Sequence, residues 1–140
     1  MKKTFLAVVC CIMMTQGFAQ TSDDANVPEI TFEKTVYDFG TIELNGKAEA
    51  EFVFTNTGKS PLIIRSCDVT CGCTAAICPK NEPIKPGEKS SIKVTYNNTH
   101  LSSSFNKSVI INSNAKTPTI NLIVKGVVAN ANTVNTATSH

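Results

Sequence analysis

The chain has no tryptophan, two tyrosines and two histidines among its 140 residues. Each scarcity removes a class of function. With Tyr37 and Tyr96 as the only phenols and no indole, aromatic platforms for sugars or unpaired bases are scarce. A cysteine or serine hydrolase needs an imidazole base beside its nucleophile. The only imidazoles are His100, in the polar stretch N-N-T-H-L, and His140, the last residue. Both read as solvated. No G-x-S-x-G elbow, phosphate-cradling glycine loop or calcium-loop pattern occurs. Glu49 and Glu51 fall on one solvent face of a strand, Asp38 and Asp68 read as loop or edge positions, and Asp23 and Asp24 sit in a polar leader. We therefore expect no enzyme and no cofactor.

Charge of one sign is also missing. The formal net charge of +2 is accounted for by Lys2 and Lys3, so the rest of the chain is near neutral and has no basic block. That argues against nucleic acid and against an electrostatic membrane anchor. Long hydrophobic runs are missing too. Residues 5–14 form an apolar run that falls short of the roughly 20 residues a membrane-spanning helix needs. This run follows Met1-Lys2-Lys3 and leads to Gly17-Phe18-Ala19. A basic start, a short apolar stretch and small residues at the end describe a secretory signal peptide over residues 1–19, cut after Ala19. Lipidation at Cys10 or Cys11 would want a small residue just before the cysteine. Val9 and Cys10 occupy those places, so both cysteines read as apolar filler. The mature chain is expected to be exported, periplasmic or extracellular, with no transmembrane segment.

No later segment of ten residues carries a helical stripe. What is present instead is alternation. Ile30 and Phe32, then Ala50, Phe52 and Phe54, then Ile92, Val94 and Tyr96 recur at period two. Phe105, Lys107, Val109 and Ile111, and then Ile120, Leu122 and Val124, continue the pattern. Period two puts one set on a core and the other toward solvent. Turn signals separate the runs: Asn56-Thr57-Gly58, with Gly58 able to take positive φ, then Ile84-Lys85-Pro86-Gly87, and Asn112-Ser113-Asn114-Ala115. About seven short strands with this spacing predict an all-β fold, an immunoglobulin-like antiparallel β-sandwich. The domain is expected over residues 29–128, after a flexible leader at 20–28. Residues 129–140, A-N-A-N-T-V-N-T-A-T-S-H, read as a disordered tail.

The densest chemistry lies at residues 66–80, S-C-D-V-T-C-G-C-T-A-A-I-C-P-K, which holds Cys67, Cys71, Cys73 and Cys78. Behind a signal peptide the compartment is oxidising, so these four are disulfide candidates. Three pairings exist. Cys71–Cys73, with Cys67–Cys78 as its complement, closes a very small ring that would be strained. The crossed alternatives, Cys67–Cys73 with Cys71–Cys78 and Cys67–Cys71 with Cys73–Cys78, close somewhat larger rings. Any of them would pin the connection at 66–87, which has few apolar anchors. A metal reading uses the same four thiolates for Cu(I) or zinc. The spacing C-x3-C-x-C-x4-C lacks the two separated knuckles of structural zinc sites. A redox reading rests on a readily reduced C-G-C pair. It lacks a C-x-x-C at a helix start, and only Arg65 and Lys80 are electropositive neighbours. The strands carry enough Ile, Val, Leu and Phe to form a core without the cysteines.

The order of motifs resembles a known family. F-G-T-I at 39–42 is followed by F-x-F-T-N-T-G at 52–58 and P-L-I-I at 61–64. C-G-C-T at 71–74, P-I-K-P-G at 83–87, F-N-K-S-V at 105–109, S-N-A at 113–115 and K-G-V-V at 125–128 complete the series. The chain is similar to the secreted bacterial family called domain of unknown function 1573. The resemblance covers residues 30–128. It implies an immunoglobulin-like sandwich outside the cytoplasm and implies no reaction. More distantly the chain resembles sandwich modules of cilium and sperm-protein families, which act by contact. The family form is S-C-G-C-T. Here Asp68-Val69-Thr70 reads as inserted after Cys67, Cys78 is added, and Ser104 stands where a glycine is usual. The expected function is a non-catalytic binding or structural module, facing an unknown protein or cell-envelope partner. The alternative is thiol redox exchange, or Cu(I) or zinc binding, through the 67–78 loop.

Overall fold

The structure, a computed structural model, describes residues 26–130. The stretch expected to be a signal peptide, most of the expected leader and most of the expected tail lie outside the described residues. The strands are β1 (Ile30–Phe32), β2 (Val36–Glu43), β3 (Glu49–Asn56), β4 (Leu62–Val69), β5 (Thr74–Ile77), β6 (Pro83–Ile84), β7 (Lys89–Tyr96), β8 (Ser103–Ser113) and β9 (Thr119–Ala129). They form a four-stranded sheet in the order β1-β3-β7-β5 and a five-stranded sheet in the order β2-β9-β8-β4-β6. The fold is an immunoglobulin-like β-sandwich.

Alternation makes the core. On β3, Ala50, Phe52, Phe54 and Asn56 are buried while Glu49 and Glu51 face water. On β7, Ile92, Val94 and Tyr96 are buried. The antiparallel register sets Ala50 opposite Val94 and Phe52 opposite Ile92, so the inward faces of neighbouring strands coincide. Leu62 and Ile64 from β4, Val109 and Ile111 from β8, and Leu122 and Val124 from β9 complete the main core. Each such side chain contributes roughly 1.5–3 kcal/mol by leaving water. A second, smaller cluster holds Ile42, Ala48, Tyr96, Phe105 and Val128. The Tyr96 and Phe105 rings stack in it with centroids 3.9 Å apart.

Two features differ from the sequence expectation. Among the described residues there are nine strands rather than about seven, because β5 and β6 lie inside the connection read as having few apolar anchors. That connection is anchored by Ile84, which is buried, and by the Asn81 N–H, which donates to the Ile64 carbonyl at 2.8 Å. The antiparallel pattern also has one exception: β2 pairs with β9 in parallel. Side-chain alternation records which face is buried, not which way a neighbour runs. β1 and β2 sit in different sheets although only residues 33–35 separate them.

Turn chemistry was partly legible. Gly87 takes φ +81°, as its Pro-Gly context requires. Gly58 does not adopt positive φ. Its role is close approach: a Cβ there would lie 2.3 Å from the Glu29 nitrogen and 2.5 Å from the Val27 oxygen. The same turn is held by Asn56, which is wholly buried. Its Nδ2 donates to the Ser60 and Ile84 carbonyls at 2.8 and 2.9 Å, and its Oδ1 accepts from Gly58 N at 3.0 Å. A positive φ of 64° occurs instead at Gly40, where the β2–β9 register slips between Asp38 and Thr41.

Candidate functional site

The cysteine connection carries the chain from one sheet to the other. β4 belongs to the five-stranded sheet, residues 70–73 make the crossing, and β5 joins the edge of the four-stranded sheet beside β7. Cys67 lies on β4 and Cys78 directly follows β5. Their disulfide therefore ties the two sheets together, with Cα atoms 6.6 Å apart. Both of these cysteines pack against the main core.

Cys71 and Cys73 form the second disulfide, with Cα atoms 5.3 Å apart, in a ring that encloses only Gly72. The small-ring pairing, which ring strain disfavours, is the one adopted. The reason is the crossing itself. The chain must turn within residues 70–73, and the Thr74 N–H donates to the Cys71 carbonyl at 3.3 Å. The Asn97 N–H fixes the Cys73 carbonyl at 2.8 Å. Gly72 is exposed, with open space where a Cβ would point. Cys73 packs against the second cluster. With all four sulfurs in disulfides, the four-thiolate set for zinc or Cu(I) does not exist in this structure.

Thr74 is the residue that sequence reasoning passed over. It is buried, at 4% exposure. Its Oγ1 lies 3.6 Å from Cys71 Sγ and 3.9 Å from Cys73 Sγ. A disulfide sulfur carries no proton, so the hydroxyl is the donor, and its single proton turns to one sulfur or the other. The available signal was the position of Thr74 directly after C-G-C.

β5 is also an open sheet edge. Because Asn97 N–H bonds the Cys73 carbonyl, the alternation of an antiparallel ladder turns the amide and carbonyl of Ala76 away from β7. The strand reads T-A-A-I, without charge, proline or bulge. Ile77 is 70% exposed at its end. The other edges are blunted in ways that oppose further pairing. β1 has three residues, and β6 has two and begins with Pro83. β2 is bulged at Gly40 and carries Asp38 and Glu43.

The remaining sites are modest. An open groove of about 710 Å³ on the β2–β9–β8 surface is lined by Asp38, Gly40, Thr41, Asn106, Lys125 and Gly126 among others. Lys125 Nζ and Asp38 Oδ2 are 3.6 Å apart across it. A Cβ on Gly126 would meet the Phe105 ring at 3.1 Å, so that glycine is explained by packing. Glu51 accepts a hydrogen bond from Ser91 Oγ at 2.6 Å, and Asp68 accepts from Ser66 Oγ at 2.7 Å. His100 is exposed, and His140 lies outside the described residues.

Comparison with known proteins gives a family and a fold. The family model described as protein of unknown function (DUF1573) matches residues 30–128. No curated protein matches the chain. Among solved structures, a protein of unknown function from Porphyromonas gingivalis W83 is similar at TM-score 0.65 and 19% identity, over 74% of this chain and 48% of that one. This chain thus spans about half the length of that protein. The ASH / PapD-like domain 7 of human CEP192 is similar at TM-score 0.56 and 12% identity, over 94% of this chain and 98% of that one. The secreted serine protease VesC from Vibrio cholerae is similar at TM-score 0.55 and 18% identity, over 81% of this chain but 26% of that one. At these identities the likeness concerns the fold alone.

Proposed function

The chain belongs to the DUF1573 family, and from that premise we propose that it is an exported, non-catalytic binding module. It holds an extended segment of a protein in the cell envelope by strand addition at β5. The observation that carries this reading is the contrast among edges. β2 is charged and bulged, β6 has two residues and begins with proline, and β1, uncharged like β5, has three residues; β5 is the longest of the uncharged edges and ends in the exposed Ile77. An extended peptide laid along such an edge gains main-chain hydrogen bonds, and neighbouring side chains select its sequence. The rigid sandwich behind β5 and the Cys67–Cys78 bridge at its end keep the edge in place before binding.

Export is supported by the composition of residues 1–19 and by the two disulfides. Among the described residues no helix is long and apolar enough to cross a membrane. A non-catalytic role is supported by His100, the one histidine among the described residues, lying exposed.

The test is a photo-crosslinking amino acid at position 77, in the protein expressed with its own leader in its own cell type. A discrete crosslinked partner is expected. Ala76→Pro removes the outward amide but is tolerated at an edge, so the variant should fold and lose that adduct. An adduct unchanged in Ala76→Pro, or no adduct in the wild-type background, overturns strand addition at β5.

A further inference from the structure

We infer that Cys71–Cys73 is an exchangeable disulfide that accepts two electrons from a dithiol, and that Thr74 is the positioning residue that makes it so. This is independent of docking at β5. The two disulfides of the domain share one chemistry but not one setting. Cys67–Cys78 links the sheets and packs on the main core. Cys71–Cys73 spans one residue of the crossing, the exposed Gly72; Cys73 touches the second cluster, and Cys71, half-buried, packs against neither. An attacking thiolate needs access to one sulfur and a stabilised leaving thiolate at the other.

The step balances as follows. One thiolate of an external dithiol attacks a sulfur of the Cys71–Cys73 bond and forms a mixed disulfide. The bond breaks, and the other cysteine leaves as a thiolate that takes up a proton. The second thiol of the reagent then loses its proton and attacks its own sulfur in the mixed disulfide. It departs as a cyclic disulfide and releases the remaining cysteine, which is protonated in turn. The dithiol is oxidised by two electrons, and Cys71 and Cys73 become thiols.

Thr74 acts on the leaving group. Among the described residues, the hydrogen-bond partners of its buried hydroxyl are the two sulfurs, at 3.6 and 3.9 Å. A hydroxyl gains little from a neutral disulfide sulfur. It gains much more from a thiolate, because a hydrogen bond to an ionised acceptor is roughly twice as strong as one between neutral groups. Whichever sulfur leaves, the same donor is within reach. The backbone places the donor: Thr74 opens β5, opposite Tyr96 on β7, and its N–H already closes the turn onto Cys71.

The experiment treats the oxidised full chain with graded dithiothreitol, quenches with an alkylating agent, and maps the labelled cysteines by peptide mass. Cys71 and Cys73 are expected to label at a dithiol concentration at least about tenfold below that needed for Cys67 and Cys78. Thr74→Val keeps the shape and removes the donor. It should slow reduction of Cys71–Cys73 about tenfold and leave labelling of Cys67 and Cys78 unchanged. Thr74→Ser should restore the wild-type rate. Circular dichroism and intact Cys67–Cys78 report that each variant is folded. Reduction of both disulfides together, only as the domain unfolds, overturns the exchangeable site. A Thr74→Val rate equal to wild type, or a Thr74→Ser rate equal to that of the valine variant, overturns the role of the hydroxyl.

Discussion

The two disulfides of this domain stand a few residues apart and answer to different physical demands. Cys67–Cys78 spans two sheets and rests on the main core, so it limits how far the sheets can separate. Cys71–Cys73 spans one residue of a half-buried turn, so it constrains almost nothing beyond that turn. The difference teaches that a cysteine pair is defined by what it connects. A cross-link between elements distant along the chain restricts the unfolded ensemble, and one between near neighbours restricts it little. The first bond belongs to the architecture. The second leaves the architecture almost untouched.

The comparison can be tested from its strong end to its weak one. The largest effect should come from neither disulfide. Phe52→Ala opens a cavity under a wholly buried ring and should cost about 3–5 kcal/mol in urea unfolding at unchanged slope. If removing a disulfide costs more than this, the sandwich depends on its staple and the core is not self-sufficient. Next, the double variant Cys67→Ala with Cys78→Ala should lower stability by about 2.5 kcal/mol, since its closed loop is somewhat shorter than one for which about 3 kcal/mol is expected. Hydrogen exchange should rise on β5 and the end of β4, and change little on β3. The smallest effect belongs to Cys71→Ser with Cys73→Ser, which should cost no more than about 1.5 kcal/mol. Equal losses for the two pairs would erase the distinction drawn above.

Much of the sandwich was readable before any coordinates. Ala50, Phe52 and Phe54, and Ile92, Val94 and Tyr96, declared their buried face by period two, and each is buried. β5 and β6 were not readable. T-A-A-I has too little side-chain contrast to show alternation, and two residues cannot show a period. The parallel β2–β9 pair was invisible for another reason: the same alternation serves either direction. Gly58 was read through the conformational freedom of glycine, but the cause is the backbone of residues 27–29 passing against it. At the candidate site the four cysteines were evident and their pairing was not. Strain in a small ring was a sound consideration. A crossing held by Thr74 N–H and Asn97 N–H already brings Cys71 and Cys73 together. Thr74 was hidden because a threonine beside cysteines has no distinctive pattern until its hydroxyl is seen between two sulfurs.

By itself the sequence determined which side chains go inside, where the chain turns, and that four cysteines share one connection. These are properties of single segments, set by side-chain polarity and local backbone preference. Only the tertiary structure decided which cysteine meets which, that β2 runs parallel to β9, and that β5 is left as an uncharged open edge. Those outcomes depend on distances between segments far apart in the chain, which no local period encodes.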